Sequence, residues 1–168
     1  MDGNVIFEKY CSYIDDCKYF EIPIAVMHVT SGINPPPYNQ LGLDRFKGLV
    51  EKAEKNNVII ALENVRNPDY LDYIFENIES PSLKFCYDSG HENCFIQGKD
   101  FLTKYGNKLV ALHLHDNDGT CDQHLFPFNG TINWKRIMTQ INKLDYQGPL
   151  GFEFDAQFID VSKEYTIS

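Results

Sequence analysis

Apolar residues recur along this chain in two alternating rhythms, one helical and one of strand type. Residues 5–21, VIFEKYCSYIDDCKYFE, place apolar side chains at helical spacing, and IPIAVMHV at 22–29 follows as an unbroken apolar run of strand length. After the proline-ordered loop SGINPPPYNQ, residues 43–57 (LDRFKGLVEKAEKNN) read as an amphipathic helix ending at Asn56 and Asn57, and VIIALEN as a buried strand. Asn67 and Pro68 supply an N-cap and a first helical position for PDYLDYIFENIES, and SLKFCYDS is the next strand. A poorer helix at about 97–106 leads into LVALHLHD. A loop at 117–132 precedes the helix NWKRIMTQINKLDY, closed by Gly148 and Pro149, and the strand PLGFEFD. The pattern therefore predicts five strands separated by helices.

Strands that alternate with helices and read as nearly continuous apolar runs indicate an α/β fold, its parallel sheet covered by helices or closed into a barrel. The chain has neither G-x-G-x-x-G nor G-x-x-x-x-G-K, so a dinucleotide or P-loop site would lack its phosphate cradle. A barrel or barrel fragment, one domain over residues 1–168, is the expectation.

Composition narrows this further. A hydrophobic share of 43%, with 12 Phe and 10 Tyr, is enough for one core. Fifteen basic against 24 acidic residues give a net charge of -9, which opposes nucleic-acid binding. No run approaches the ~18 apolar residues of a membrane span, and MDGNVIFEKY holds no secretory core, so no membrane association and a cytoplasmic location are expected. The five cysteines, at 11, 17, 86, 94 and 121, show no C-x-x-C spacing and read as reduced thiols. Cys86 reads as core filler, whereas Cys94 and Cys121 fall in expected loops.

The chemistry lies where the apolar runs stop. ALEN delivers Glu63, KFCYDSGH delivers Asp88, ALHLHD delivers His113 and GFEF delivers Glu153. They follow one another at 25, 25 and 40 residues, about one β/α unit each, and His28 ends its own strand 35 residues before Glu63. A single acid or histidine at a strand end is more often a cap or a loop hydrogen bond. Five consecutive strands ending this way instead match a site assembled at the carboxyl ends of a parallel barrel. Three carboxylates and an imidazole suit a divalent cation such as Mn²⁺, Mg²⁺, Co²⁺ or Zn²⁺.

Local pairs add to this set. Asp88 and His91 sit three apart across an expected glycine turn, and Asp122 and His124 sit two apart in a loop. His113 and His115 share one strand face, so one of them should lie deeper in the barrel mouth, and the pattern leaves open which is the ligand. Asp116 suits either an acceptor that fixes an imidazole tautomer or a loop cap. Arg66 is the nearest cation and could hold a phosphate or carboxylate. Trp134, with Phe126, Phe128 and Phe154, suits either a substrate pocket or the core.

The motifs AVMH, ALEN, YDSGH, ALHLHD, D-Q-H followed by P-x-x-G-T-I-N-W, and Y-x-G-P-L-G-F-E resemble, in order and spacing, the xylose-isomerase-like TIM barrel superfamily. That superfamily holds sugar phosphate isomerases and epimerases and the endonuclease IV type of apurinic-site nuclease (AP endonuclease family 2). The resemblance implies that Glu63, Asp88, His113 and Glu153 hold a central metal, and that His28, His91, Asp122 and His124 match positions binding further zinc ions in the nucleases. In the isomerase branch the position of His91 contacts substrate instead. Glu63 and Glu153 would then double as ligand and acid/base in proton abstraction next to a carbonyl, with the metal stabilising the developing negative oxygen.

Two departures accompany the resemblance. Phe128 stands where the family's P-G-x-G loop has its first glycine. The family barrel has eight strands, whereas five are visible here, matching the fourth to the eighth. An incomplete (β/α)8 barrel leaves open sheet edges, which a second copy of the chain could cover. The expected activity is that of a metal-dependent sugar or sugar phosphate isomerase or epimerase on a small carbohydrate. A zinc-dependent AP endonuclease and a truncated, non-catalytic metal- or ligand-binding barrel are the alternatives.

Overall fold

The computed structural model describes residues 3–30 and 34–155. Its helices are α1 (Gly3–Tyr19), α2 (Gln40–Asn56), α3 (Asp69–Asn77), α4 (Ser89–Phe95), α5 (Phe101–Tyr105) and α6 (Trp134–Lys143). The strands are β1 (Ile24–His28), β2 (Ile59–Glu63), β3 (Leu83–Asp88) and β4 (Leu109–His113). The strands lie in the order β1-β2-β3-β4, all parallel. Part of the proline-rich loop, residues 31–33, falls outside the described residues.

Helix boundaries follow capping chemistry. The Asn39 side chain accepts from Gly42 N–H at 2.9 Å to start α2, three residues earlier than periodicity suggests. Asn57, in the left-handed region at φ 55°, ends it by returning its N–H to Ala53 and Glu54. The Asn67 side chain accepts from Asp69 N–H at 2.9 Å at the start of α3. Asp100 caps α5 through Thr103 N–H at 3.0 Å, and a 3₁₀ turn at Gly106–Lys108 completes that segment.

Two expectations need correction. Asp88-Ser-Gly-His91 is not a turn but the start of α4, a helix nucleated by the Asp88 carboxylate, which accepts from His91 N–H at 2.6 Å. Cys94 is therefore helical rather than in a loop. The fifth strand, expected over 149–155, is reduced to a single parallel bridge of Phe152 to Leu114. Leu114 N–H donates to Gly151 O at 2.8 Å and Glu153 N–H to Leu114 O at 3.1 Å. Leu150 and Phe152 are 46% and 44% exposed, so among the described residues the far side of this segment gains no packing partner to extend the ladder.

Alternation along the strands divides the interior in two. Ile60 and Leu62 of β2, Phe85 and Tyr87 of β3, and Leu112 and Leu114 pack into the core beneath the helices with Leu49, Val50, Leu71, Ile74, Phe101 and Ile137. The other face carries Glu63, Cys86, Asp88 and His113. The ladder sets His28 beside Glu63, Glu63 beside Cys86, and Asp88 beside His113, so the strand-end residues share one end of the sheet. Beyond β2 the Asn64 side chain continues the ladder in place of backbone: its amide donates to Asp88 O and its oxygen accepts from Asp88 N–H, both at 2.8 Å. β1 has a neighbour on one side only among the described residues. There a groove of about 640 Å³ runs from Phe7 and Tyr10 of α1 past His28 to Glu63, His113 and Glu153. No helix among the described residues is long and apolar enough to cross a membrane.

Candidate metal centre

Glu63 is the hub of the strand-end cluster. Its carboxylate is almost fully buried and meets three imidazoles: His91 Nδ1 at 2.9 Å, His113 Nδ1 at 3.0 Å and His28 Nε2 at 3.3 Å. Burial favours the protonated carboxyl, but His113, His28 and His91 outweigh it and hold Glu63 well below the usual carboxylate range. Glu153 reaches the same His113 Nδ1 at 3.1 Å from the opposite edge of the sheet, and this contact lowers its pKa. Asp88, fully buried, lies within 4.8 Å of ligand atoms of both His113 and Glu153.

This donor set fits a divalent cation. His113 Nδ1 is buried between two carboxylate oxygens, yet neither is aligned to accept a hydrogen bond from it. Two donors each roughly 2.1 Å from a shared cation stand roughly 3 to 3.4 Å apart at octahedral to tetrahedral angles. The Glu63–His113 and His113–Glu153 separations have that spacing. Cys86, Glu153 and Glu63 beside His113 raise its pKa far above the ordinary imidazole value.

His91 and His115 flank this core. For His91, burial opposes the charge, but Asp122 (Nε2–Oδ2 3.1 Å) and Glu63 prevail and push its pKa up to about 10. His115 is fully buried, with Nε2 3.2 Å from both Asp88 oxygens. Ser89 clamps its backbone, accepting from His115 N–H at 3.0 Å and donating to its carbonyl at 2.7 Å. The ring lies against Gly90, where a Cβ would come within 2.0 Å of Cε1. Of the two histidines on this face, His113 meets Glu63 and Glu153, whereas the deeper His115 orients Asp88.

The loop pair is reached through Asp122. Its carboxylate lies 3.1 Å from His91 and 3.5 Å from His124. His124 Nδ1 is 2.7 Å from Glu153 O, so Nδ1 carries the proton of that hydrogen bond, and Nε2 faces Asp122. His124 stacks on His115 at 4.0 Å and joins His115 and Glu153 in a ligand group of its own.

Other expected residues stand elsewhere. Trp134 is buried, donates its indole N–H to Asp116 at 2.8 Å and does not line the groove. Asp116 touches no histidine. It also accepts from Phe128 N–H at 3.0 Å and Ile132 N–H at 3.2 Å, closing the 117–133 loop as a cap. Arg66 is exposed and lies over the Phe95 ring at 4.3 Å, with that ring 5.6 Å from His91. The pattern along the chain missed Asn64, Ser89 and the inward Cys86. An asparagine directly after a strand-end ligand, and a serine after an aspartate that can cap, were the available signals.

A parallel sheet with its acidic and imidazole residues gathered at the carboxyl ends of the strands is an arrangement with known counterparts. Over 106 residues the chain is 37% identical to the uncharacterized protein y4fM of Sinorhizobium fredii, covering 59% of this chain and 34% of that protein. Among solved structures it superposes on a D-tagatose 3-epimerase-like protein with a TM-score of 0.77 at 24% identity, covering 90% of this chain and 62% of the other. The IOLI protein, solved with a binding zinc atom, gives 0.75 at 17% identity, covering 92% of this chain and 62% of the other. The chain thus spans about a third of that curated relative's length and about three-fifths of these structures, in keeping with an incomplete barrel. The family described as xylose isomerase-like TIM barrel matches residues 6–164, nearly the whole sequence, and the chain belongs to it.

Proposed function

We propose that this chain is the metal-bearing part of a divalent-metal-dependent isomerase or epimerase acting on a sugar or sugar phosphate by proton transfer next to a carbonyl. The observation that carries the reading is the convergence of Glu63, Asp88 and Glu153 on His113 at the inner end of an open groove. A cation held by these four residues would polarise the substrate carbonyl as a Lewis acid.

The remaining work falls to side chains. Glu153 is half exposed at the groove, where it can reach a substrate carbon and take its proton. Glu63, enclosed by His28, His91 and His113 on the other side of His113, is held ionised, and His91 at 2.9 Å can hand it the proton that Glu63 then returns to the substrate carbon. His91, whose two nitrogens are engaged by Glu63 and Asp122, would donate to a substrate oxygen only by releasing Asp122. Arg66, exposed and stacked on Phe95, does not line the groove and could serve a phosphate or carboxylate only from outside it.

The test is metal analysis joined to isotope exchange. One labile Mn²⁺, Mg²⁺, Co²⁺ or Zn²⁺ per chain, with solvent tritium entering a ketose, supports the proposal. Metal binding without exchange would favour a binding barrel that does not turn over. A zinc-dependent AP endonuclease is the second reading, favoured by Asp122 reaching both His91 and His124. About three zinc ions per chain with cleavage of an abasic oligonucleotide would replace the isomerase reading. The edge of β1, one-sided among the described residues, and the exposed Leu150 and Phe152 also support self-association, measurable by sedimentation.

A further inference from the structure

Cys86 lies on the ligand face of β3 rather than under the helices. Phe85 and Tyr87, its neighbours in the strand, pack into the helix-covered core, and alternation turns Cys86 toward the face that carries Glu63, Asp88 and His113. It is fully buried, stands directly beside Glu63 in the β2–β3 register and is one pleat deeper than Asp88. Its Sγ, a Glu63 oxygen and a His113 nitrogen lie within 4.8 Å of one another. The site therefore offers two overlapping donor groups that share His113. The outer group is all oxygen and nitrogen (Asp88, His113, Glu153), and the inner one contains sulfur (Glu63, Cys86, His113).

We propose that Cys86 is an inner metal ligand whose thiolate, with Glu63 and His113, gives this centre a preference for thiophilic cations such as Zn²⁺, Co²⁺ and Cd²⁺ over Mg²⁺ and Mn²⁺. The inference rests on the metal-centre reading above and deepens it. The chemistry is ligand exchange without redox: the sulfur–metal bond forms as the S–H bond breaks, and the proton leaves to solvent. Thiolate selects soft and borderline cations, whereas an all-carboxylate set with one imidazole does not.

The experiment is titration of the metal-free chain with Co²⁺, followed by absorption. Visible d–d bands report a bound cobalt ion, and an intense near-ultraviolet thiolate-to-cobalt charge-transfer band reports a sulfur ligand. The proposal expects both in the wild-type chain. Cys86→Ser should lose the charge-transfer band, keep the d–d bands and bind Cd²⁺ at least about tenfold more weakly, with Mg²⁺ affinity little changed. Cys121→Ser, an exposed thiol, should keep the band.

Bands of d–d type without charge transfer in the wild-type chain would overturn the Cys86 assignment and leave the metal centre standing. No cobalt spectrum at all would overturn both. Because the first readout needs no variant, a poorly folding Cys86→Ser does not rescue the idea. Cys86→Ala provides a second check, and a charge-transfer band persisting in it would equally overturn the assignment.

Discussion

The middle of the sheet and its two edges contribute donors to the same centre under different physical conditions. Glu63, on β2, and Asp88, on β3, are buried, and each is held by several partners: three imidazoles around Glu63, and Asn64, His91 and His115 around Asp88. His28, from the edge strand β1, and Glu153, from the single bridge beyond β4, each retain 48% side-chain exposure. Central donors are therefore part of what holds the fold together. Edge donors are positioned by it without supporting it.

The sharpest way to break this comparison is to neutralise one donor of each kind. Glu63→Gln leaves imidazoles facing an uncharged amide in a desolvated site, and removing one partner of a buried charge pair costs about 3–5 kcal/mol. It should also abolish tight metal binding. Glu153→Gln should lower metal affinity by roughly 10–100-fold, while stability moves by less than about 0.5 kcal/mol because the side chain is half exposed. Urea melts of the metal-free variants, with Co²⁺ titrations, measure both quantities. Equal stability loss in the two variants would erase the distinction, and unchanged metal binding in Glu153→Gln would remove Glu153 from the ligand set.

The same contrast has a pH signature. The pKa of His91 is raised to about 10 in the folded chain, so its charged hydrogen bonds are at full strength below an unfolded value of roughly 6.5 and are lost as pH rises through 10. Metal-free protein should lose about 1.5–3 kcal/mol between pH 7 and 10.5, the usual worth of a hydrogen bond to a charged group. Asp122→Asn removes one of the two main partners and should shift this loss to lower pH. A flat profile would mean that His91 is neutral in the fold.

Gly90→Ala tests the packing behind Asp88. Its Cβ would enter the His115 ring, which is held at the backbone by Ser89, so neither side can yield cheaply. The expected cost is about 1–3 kcal/mol, with weaker metal binding as Asp88 loses its support. The imidazole resonance of His115 in an NMR spectrum would report the displacement.

How much of this was legible in the sequence divides along the same line. β2 and β3 are largely buried on both faces, so their apolar runs, interrupted only by Lys84, end sharply, and Glu63 and Asp88 could be read directly as strand-end residues. The last strand read equally well as PLGFEFD, yet it forms one bridge, because a strand needs a neighbour and periodicity does not count neighbours. α4 escaped notice because Ser, Gly, His and Asn are weak helix formers, and its start depends on a cap whose aspartate was read only as a ligand. Cys86 read as core filler because its neighbours Phe85 and Tyr87 are apolar, and it is fully buried. Its side-chain direction followed only from the register that puts it beside Glu63.

The rim of the edge region supplies the smallest effect. Phe128 adopts φ 74°, in the left-handed region, at the position where the family's loop has a glycine. Its backbone N–H is bound to Asp116, so the loop cannot relax to a negative φ without breaking the cap that also holds Ile132 and Trp134. The side chain is 74% exposed, with its ring tilted at 52° to that of Trp134 and 5.8 Å from it, so little packing offsets the strain. Phe128→Gly relieves roughly 1–2 kcal/mol of left-handed strain and gives back roughly 0.5–1 kcal/mol in unfolded-state entropy. The net expectation is a gain of about 0.5–1 kcal/mol in urea midpoint stability, with metal affinity unchanged because none of the four strand-end donors touches the loop tip. A loss of stability would mean that Phe128 serves as packing at an edge where packing is otherwise scarce, and the rim would then have to be grouped with the centre.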